Sequence, residues 1–93
     1  MTIKVNLYYA NWCGHCKNFL KDWNVLTKYF DQNNISYGKY EDSINADIIK
    51  KKNINSFPTI LYENNGIDYA HKGDRSINSI INNITDIQSN QYG

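Results

Sequence analysis

The chain has 93 residues, 41% of them hydrophobic and 20% charged, with a net charge of +1. That is enough for one domain and too little for two. A near-neutral balance gives no field to gather nucleic acid or an anionic membrane, and no run approaches the ~20 apolar residues of a membrane-spanning helix; neither partner is expected.

In chain order, "IKVNLYYA" (residues 3–10) reads as a strand, with Val5, Leu7 and Tyr9 on one face by the period of two. The start "MTIKVNLYYANWC" has no long apolar core and is not a signal peptide, which predicts a cytoplasmic protein. Next come Cys13 and Cys16, the only two cysteines. Phe19, Leu20, Trp23, Leu26 and Phe30 then recur at helical spacing, which predicts an amphipathic helix over 14–31. "DQNN" breaks it, and residues 35–41 form a second strand. Ser43 is placed as the cap of a short helix carrying Ile44, Ile48 and Ile49, with the lysines at 50–52 on a solvated face.

Pro58, the sole proline, leads into a third strand, "TILYE". Asn64-Asn65-Gly66 is a hairpin turn signal, so 67–72 returns as a fourth strand with His71 at its surface or edge. Ile77, Ile80, Ile81, Ile84 and Ile87 stripe a last helix, and the tail 89–93 is expected to be loose. The order is βαβαββα. A strand–helix–strand crossover is right-handed and makes its strands parallel, whereas the hairpin makes its strands antiparallel. The fold class is α/β: one domain over 1–93, with a four-stranded mixed sheet and helices on both faces.

Two cysteines are too few to staple a secreted scaffold. Two glycosylation sequons, at Asn34 and Asn83, are expected by chance among 15 asparagines. A Cys-x-x-Cys pair is a redox disulfide, half of a metal site, or an accident. A zinc site needs about four ligands, and this chain has two Cys and two His, with His71 remote. The expected cofactor is therefore none beyond a redox-active Cys13–Cys16 disulfide. A cysteine at a helix start lies among unpaired N–H groups at the positive end of the dipole, which favours its thiolate. Cys13 is expected to attack, with a pKa in the ~3.5–7.5 range of such sites. Cys16, a turn further in, is expected to be more buried and to resolve the mixed disulfide. An imidazolium at His15 favours the thiolate and makes the disulfide a stronger oxidant. Gly14 leaves the sulfur open to a protein substrate, and Trp12 offers a flat apolar wall.

"YYANWCGHCKNF" closely resembles the active-site segment of protein disulfide isomerase catalytic domains, "INSFPTI" (54–60) resembles their second segment, and "KGDR" (72–75) resembles the Gly-x-Arg before their last helix. The resemblance implies a thioredoxin-like fold and a cis Phe57–Pro58 bond against the cysteines. It also implies backbone at Phe57, Pro58 and Thr59 that receives substrate by strand-like pairing. The implied activity is thiol–disulfide oxidoreductase, with protein thiols and disulfides as substrates and a separate reductase or thiol oxidase as redox partner. A monomer is expected.

Three departures stand out. The family's full domain begins with a further strand and helix, which these 93 residues do not hold. Lys21 stands where the family kinks its helix with proline. Leu7 stands where it buries a carboxylate beneath the cysteines, beside a lysine that Lys39 matches. The glutathione-binding motifs of glutaredoxins are absent, so glutathione is not expected as an obligate cofactor. Two other readings remain: a thioredoxin- or glutaredoxin-like electron donor, and a non-enzymatic module holding an Fe–S cluster or copper across a dimer through Cys13. The abundance of Asn, Ile, Lys and Tyr points to AT-rich codons, as in a large DNA virus that builds disulfides in the cytoplasm.

Overall fold

The computed structural model describes residues 3–89, so the tail beyond Ser89 lies outside the described residues. The elements are β1 (Lys4–Tyr9), α1 (Gly14–Gln32), β2 (Ser36–Glu41), α2 (Ala46–Lys51), β3 (Thr59–Asn64), β4 (Ile67–Ala70) and α3 (Ile77–Gln88). The sheet order is β2-β1-β3-β4; β1 and β2 are parallel, and the β1/β3 and β3/β4 pairs are antiparallel. This is the expected βαβαββα order and mixed sheet.

The main core joins Val5, Leu7, Ile60 and Tyr62 of the sheet to Phe19, Trp23, Leu26 and Phe30 of α1 and Ile80, Ile84 and Ile87 of α3. The helical stripes read from the sequence are thus the buried faces. Trp23 meets Phe30 and Tyr37 edge-on at 5.8 and 6.2 Å, which ties α1 to β2. Lys21 lies exposed within α1, which runs on as one helix.

Both faces of β1 are buried, with Asn6 and Tyr8 on one and Val5 and Leu7 on the other. The strand is central in a sheet flanked by helices, so both of its faces are covered. The Asn65-Gly66 turn has φ 55° and 78°, the left-handed pair that a two-residue hairpin demands.

Two expectations are corrected. Ser43 does not cap α2; Asn45 stands at the cap position and the helix begins at Ala46. Ser43 turns both its N–H and its hydroxyl to the carboxylate of Glu41. That local acceptor keeps the chain out of the helix for two more residues and leaves Ile44 exposed, while Ile49 alone of the three isoleucines is fully buried. The fourth strand ends at Ala70, two residues early. His71 still donates its N–H to the Ile60 carbonyl at 3.2 Å, then turns its ring toward the following loop.

Candidate active site

β1 delivers the chain to the top of the sheet, where the Cys13 N–H bonds the Ala10 carbonyl at 3.1 Å and closes a tight turn into α1. Cys13 is the N-cap, with φ −89° and ψ 117°. Its sulfur occupies the place of the usual Ser or Asp oxygen and accepts the Cys16 N–H at 3.3 Å. Ala10, Cys13 and Cys16 form a small buried cluster with Tyr9 and Phe57 packed on it. The Phe57–Pro58 bond is cis, as the resemblance implied, and the Cys13 thiol donates to the Phe57 carbonyl at 3.5 Å. The loop before β3 is thereby brought against the helix start across 44 residues of sequence.

Both cysteines are free thiols. Cys13 is 8% exposed and Cys16 1%. The order of exposure is the expected one, but Cys13 is far more sheltered than an open helix-start sulfur, because the Phe57 loop lies over it. Their acidities are driven apart. The hydrogen bond with the Cys16 side chain, then the N–H groups of Cys16 and His15, hold the Cys13 thiol below its ordinary value; burial works against them and Arg75 assists. Burial, followed by the hydrogen bond to Cys13, pushes the Cys16 thiol up to about 11.

The other sequence-predicted residues surround this pair. Trp12 is 73% exposed, its ring edge-on to Phe57 at 5.9 Å. A Cβ on Gly14 would meet nothing within 4 Å, so glycine here leaves open space rather than relieving a clash. His15 is exposed, and its backbone N–H is what reaches the Cys13 sulfur. Pro58 and Thr59 line a groove of about 190 Å³ together with Ile60, Ala70, His71, Gly73 and Arg75.

Leu7 is fully buried in the main core, in register with Lys39 on β2 and Ile60 on β3. The Lys39 ammonium lies over the Tyr9 ring, 5.6 Å from its centre. The groups acting on the Cys16 thiol are Cys13, the Ala10 backbone and Arg75, with no carboxylate among them.

Sequence reasoning missed two residues. Arg75 was noted only as part of "KGDR"; its charge lowers the pKa of both cysteines. Glu41, 3% exposed, accepts the Asn11 N–H at 3.0 Å and the Ser43 N–H at 2.9 Å. It thus tethers the loop that presents Trp12 and Cys13 to the end of β2. A charged residue closing a strand before a serine is the only signal that could have found it. The Ser43 hydroxyl, then the Asn11 N–H, hold its carboxyl below the ordinary glutamate value. A depressed pKa contributes stability that is present above the unfolded value of about 4.3 and lost as pH falls through the folded one. Glu41→Gln should therefore lower the Tm at neutral pH, and the gap to wild type should close in acid. A gap that persists below that range in thermal scans would refute the ionised-carboxylate tether.

Among the described residues, no three His, Cys, Asp or Glu side chains gather as a metal set, and no helix is long and apolar enough to cross a membrane.

A four-stranded mixed sheet with a Cys-x-x-Cys pair opening its first helix, faced by a cis-proline loop, defines the thioredoxin-like class. The chain belongs to the thioredoxin family, whose model matches residues 3–86. It is a thioredoxin domain that resembles the catalytic domains of protein disulfide-isomerase. It is 33% identical over 81 residues to a protein disulfide-isomerase of Schizosaccharomyces pombe, covering 83% of this chain and 23% of that protein. A structure titled as a malarial protein aligns over 92% of this chain and 97% of its own, with TM-score 0.79 and 28% identity. The first thioredoxin domain of mouse protein disulfide-isomerase A4 shares the fold at TM-score 0.80 and 22% identity, over 91% of this chain and 62% of that one. The chain spans less than a quarter of the curated relatives it matches.

Proposed function

We propose that this chain is a thiol–disulfide oxidoreductase of the protein disulfide-isomerase type, exchanging disulfides with protein substrates through Cys13 and Cys16. The observation that carries the reading is the divergence of the two thiols, one lowered as the cap of α1 and the other raised to about 11 by burial. Such a pair has one thiol ready to attack and one held back to resolve.

The Cys13 thiolate attacks one sulfur of a substrate disulfide. A Cys13–substrate S–S bond forms and the other substrate sulfur leaves as thiolate. Cys16 then gives up its proton and attacks the Cys13 sulfur; the Cys13–Cys16 bond forms and the second substrate thiolate departs. The substrate gains two electrons and the pair loses them, and a partner dithiol returns the pair to the reduced state. The reverse sequence oxidises a substrate dithiol, with a partner disulfide or thiol oxidase re-forming the Cys13–Cys16 bond. Trp12 supplies an apolar surface for the substrate, Gly14 keeps the approach clear, and the backbone at Phe57, Pro58 and Thr59 receives the substrate chain as an added strand.

At neutral pH Cys13 should be alkylated faster than Cys16 by about two orders of magnitude or more, because the thiolate is the nucleophile. Timed alkylation with peptide mapping reads both rates. Equal rates, or a faster Cys16, would overturn the assignment of roles.

A further inference from the structure

The turn between β4 and α3, residues 71–76, is held by more than a surface turn requires. On one side the His71 ring reaches both ways: Nδ1 meets the Tyr62 hydroxyl at 2.7 Å and Nε2 meets the Asp74 carbonyl. A carbonyl can only accept, so Nε2 carries the proton, and in the neutral ring Nδ1 accepts from Tyr62. On the other side Asn83, 5% exposed on α3, grips both backbone polar groups of Lys72. Its Oδ1 takes the Lys72 N–H at 3.0 Å and its Nδ2 donates to the Lys72 carbonyl at 3.0 Å and to the Ser79 carbonyl at 2.8 Å. These bonds also put the second glycosylation sequon out of reach.

Between the two grips the chain passes through Gly73 at φ 90°, where a Cβ would come within 3.1 Å of the Ser79 hydroxyl. The Asp74 carboxylate then takes the Ser76 N–H at 3.0 Å, and the Ser76 hydroxyl caps α3 by accepting the Ser79 N–H at 3.1 Å. Exposed turns ordinarily leave such groups to water. Here a half-buried imidazole and a buried amide are committed to it instead, each forfeiting its own hydration to do so. The turn carries two long cations, Lys72 and Arg75, and of the two it is Arg75 that shares a groove with Pro58 and Thr59. The residue before Pro58 is the one whose carbonyl takes the Cys13 thiol.

We propose that His71 and Asn83 are positioning residues for Arg75: they clasp the turn on both sides and so hold its guanidinium at the groove beside Pro58. The proposal deepens the oxidoreductase reading and rests on it for its consequence. A guanidinium fixed there stabilises whichever cysteine is ionised. A loosened turn releases the cation into solvent, where water and salt screen it. The step that suffers most is attack by Cys16, whose proton is the harder to remove.

The test follows thiol reactivity and fold separately, in His71→Phe, which keeps a ring and removes both nitrogens, in Asn83→Leu, and in His71→Gln, whose amide N–H can still reach the Asp74 carbonyl. Arg75→Gln is the reference. The readouts are Cys13 alkylation by iodoacetamide between about pH 6 and 9 and thermal unfolding. His71→Phe and Asn83→Leu should each slow alkylation near neutral pH by about threefold to tenfold, as loss of one nearby charge does. His71→Gln should recover part of the rate, and His71→Phe should add nothing to Arg75→Gln. The proposal is overturned if His71→Phe lowers the Tm and leaves the alkylation profile at its wild-type position, or if it slows alkylation as much with Gln at position 75 as with Arg. If Asn83→Leu does not fold, the His71 series decides alone. Should the wild type exchange no disulfides while these alkylation shifts hold, the oxidoreductase reading fails and the clasp stands.

Discussion

Leu7→Glu should raise turnover at neutral pH and flatten its rise with pH. To release substrate, Cys16 must attack as a thiolate. With its thiol at about 11, only about one molecule in ten thousand is ionised at pH 7. Among the described residues no carboxylate acts on the Cys16 thiol: Leu7 fills the buried position on β1, and Lys39, its partner in register, rests over the Tyr9 ring. Wild-type release should therefore speed up about tenfold per pH unit from about pH 7 to 9. A glutamate at position 7 adds a base within the core and has Lys39 as its neighbour in register, so release near pH 7 should rise about tenfold or more, within the range typical of general-base assistance. The substitution also buries a carboxylate, which costs several kcal/mol and should lower the Tm. Leu7→Gln separates the effects, since it brings similar polarity without a base. Insulin-reduction turnover of the three proteins across that pH range is the comparison. A flat wild-type profile, or a glutamate variant no faster than the glutamine one, would mean that another group moves the proton.

His15→Pro should make the pair more reducing. His15 lies in the first turn of α1, where proline is tolerated. The change removes a backbone N–H that helps hold the Cys13 thiol below its ordinary value, and with it a ring whose protonated form would favour the thiolate. Both losses destabilise the reduced form and leave the disulfide relatively more stable. The known spread between thioredoxin-like and isomerase-like pairs is about 90 mV, or about 4 kcal/mol for two electrons, and the shift should cover part of it. His15→Ala keeps the N–H and loses the ring, so its share of the shift belongs to the imidazole. Equilibration with glutathione buffers measures all three proteins, and a shift toward more oxidising values in the proline variant would contradict the argument.

The architecture was legible because its signals are local and periodic. The isoleucine stripe of α3, the aromatic stripe of α1 and the Asn-Asn-Gly turn each report their element without reference to the rest of the chain. The cysteine pair was legible for the same reason, since its spacing at a helix start is itself the signal. What escaped was set by contacts between distant segments. Glu41 meets Asn11 across 30 residues, and its carboxylate moves the start of α2 by capturing Ser43, which no helix propensity describes. Asn6 and Tyr8 are buried because β1 is central, a fact of sheet order and not of alternation. Arg75 reaches the cysteines only when the last turn folds back beside Pro58, and the side chains that hold it there, His71 and Asn83, read as an edge residue and a chance sequon.

The most direct test of the account is the reduction potential of the Cys13–Cys16 pair, measured by equilibration against glutathione and mapping of the alkylated thiols. The account predicts a reversible two-electron couple between about −270 and −180 mV, nearer the isomerase end because the Cys13 thiolate is favoured. A pair that never forms the disulfide, or one locked below about −300 mV as a structural bond, would contradict it.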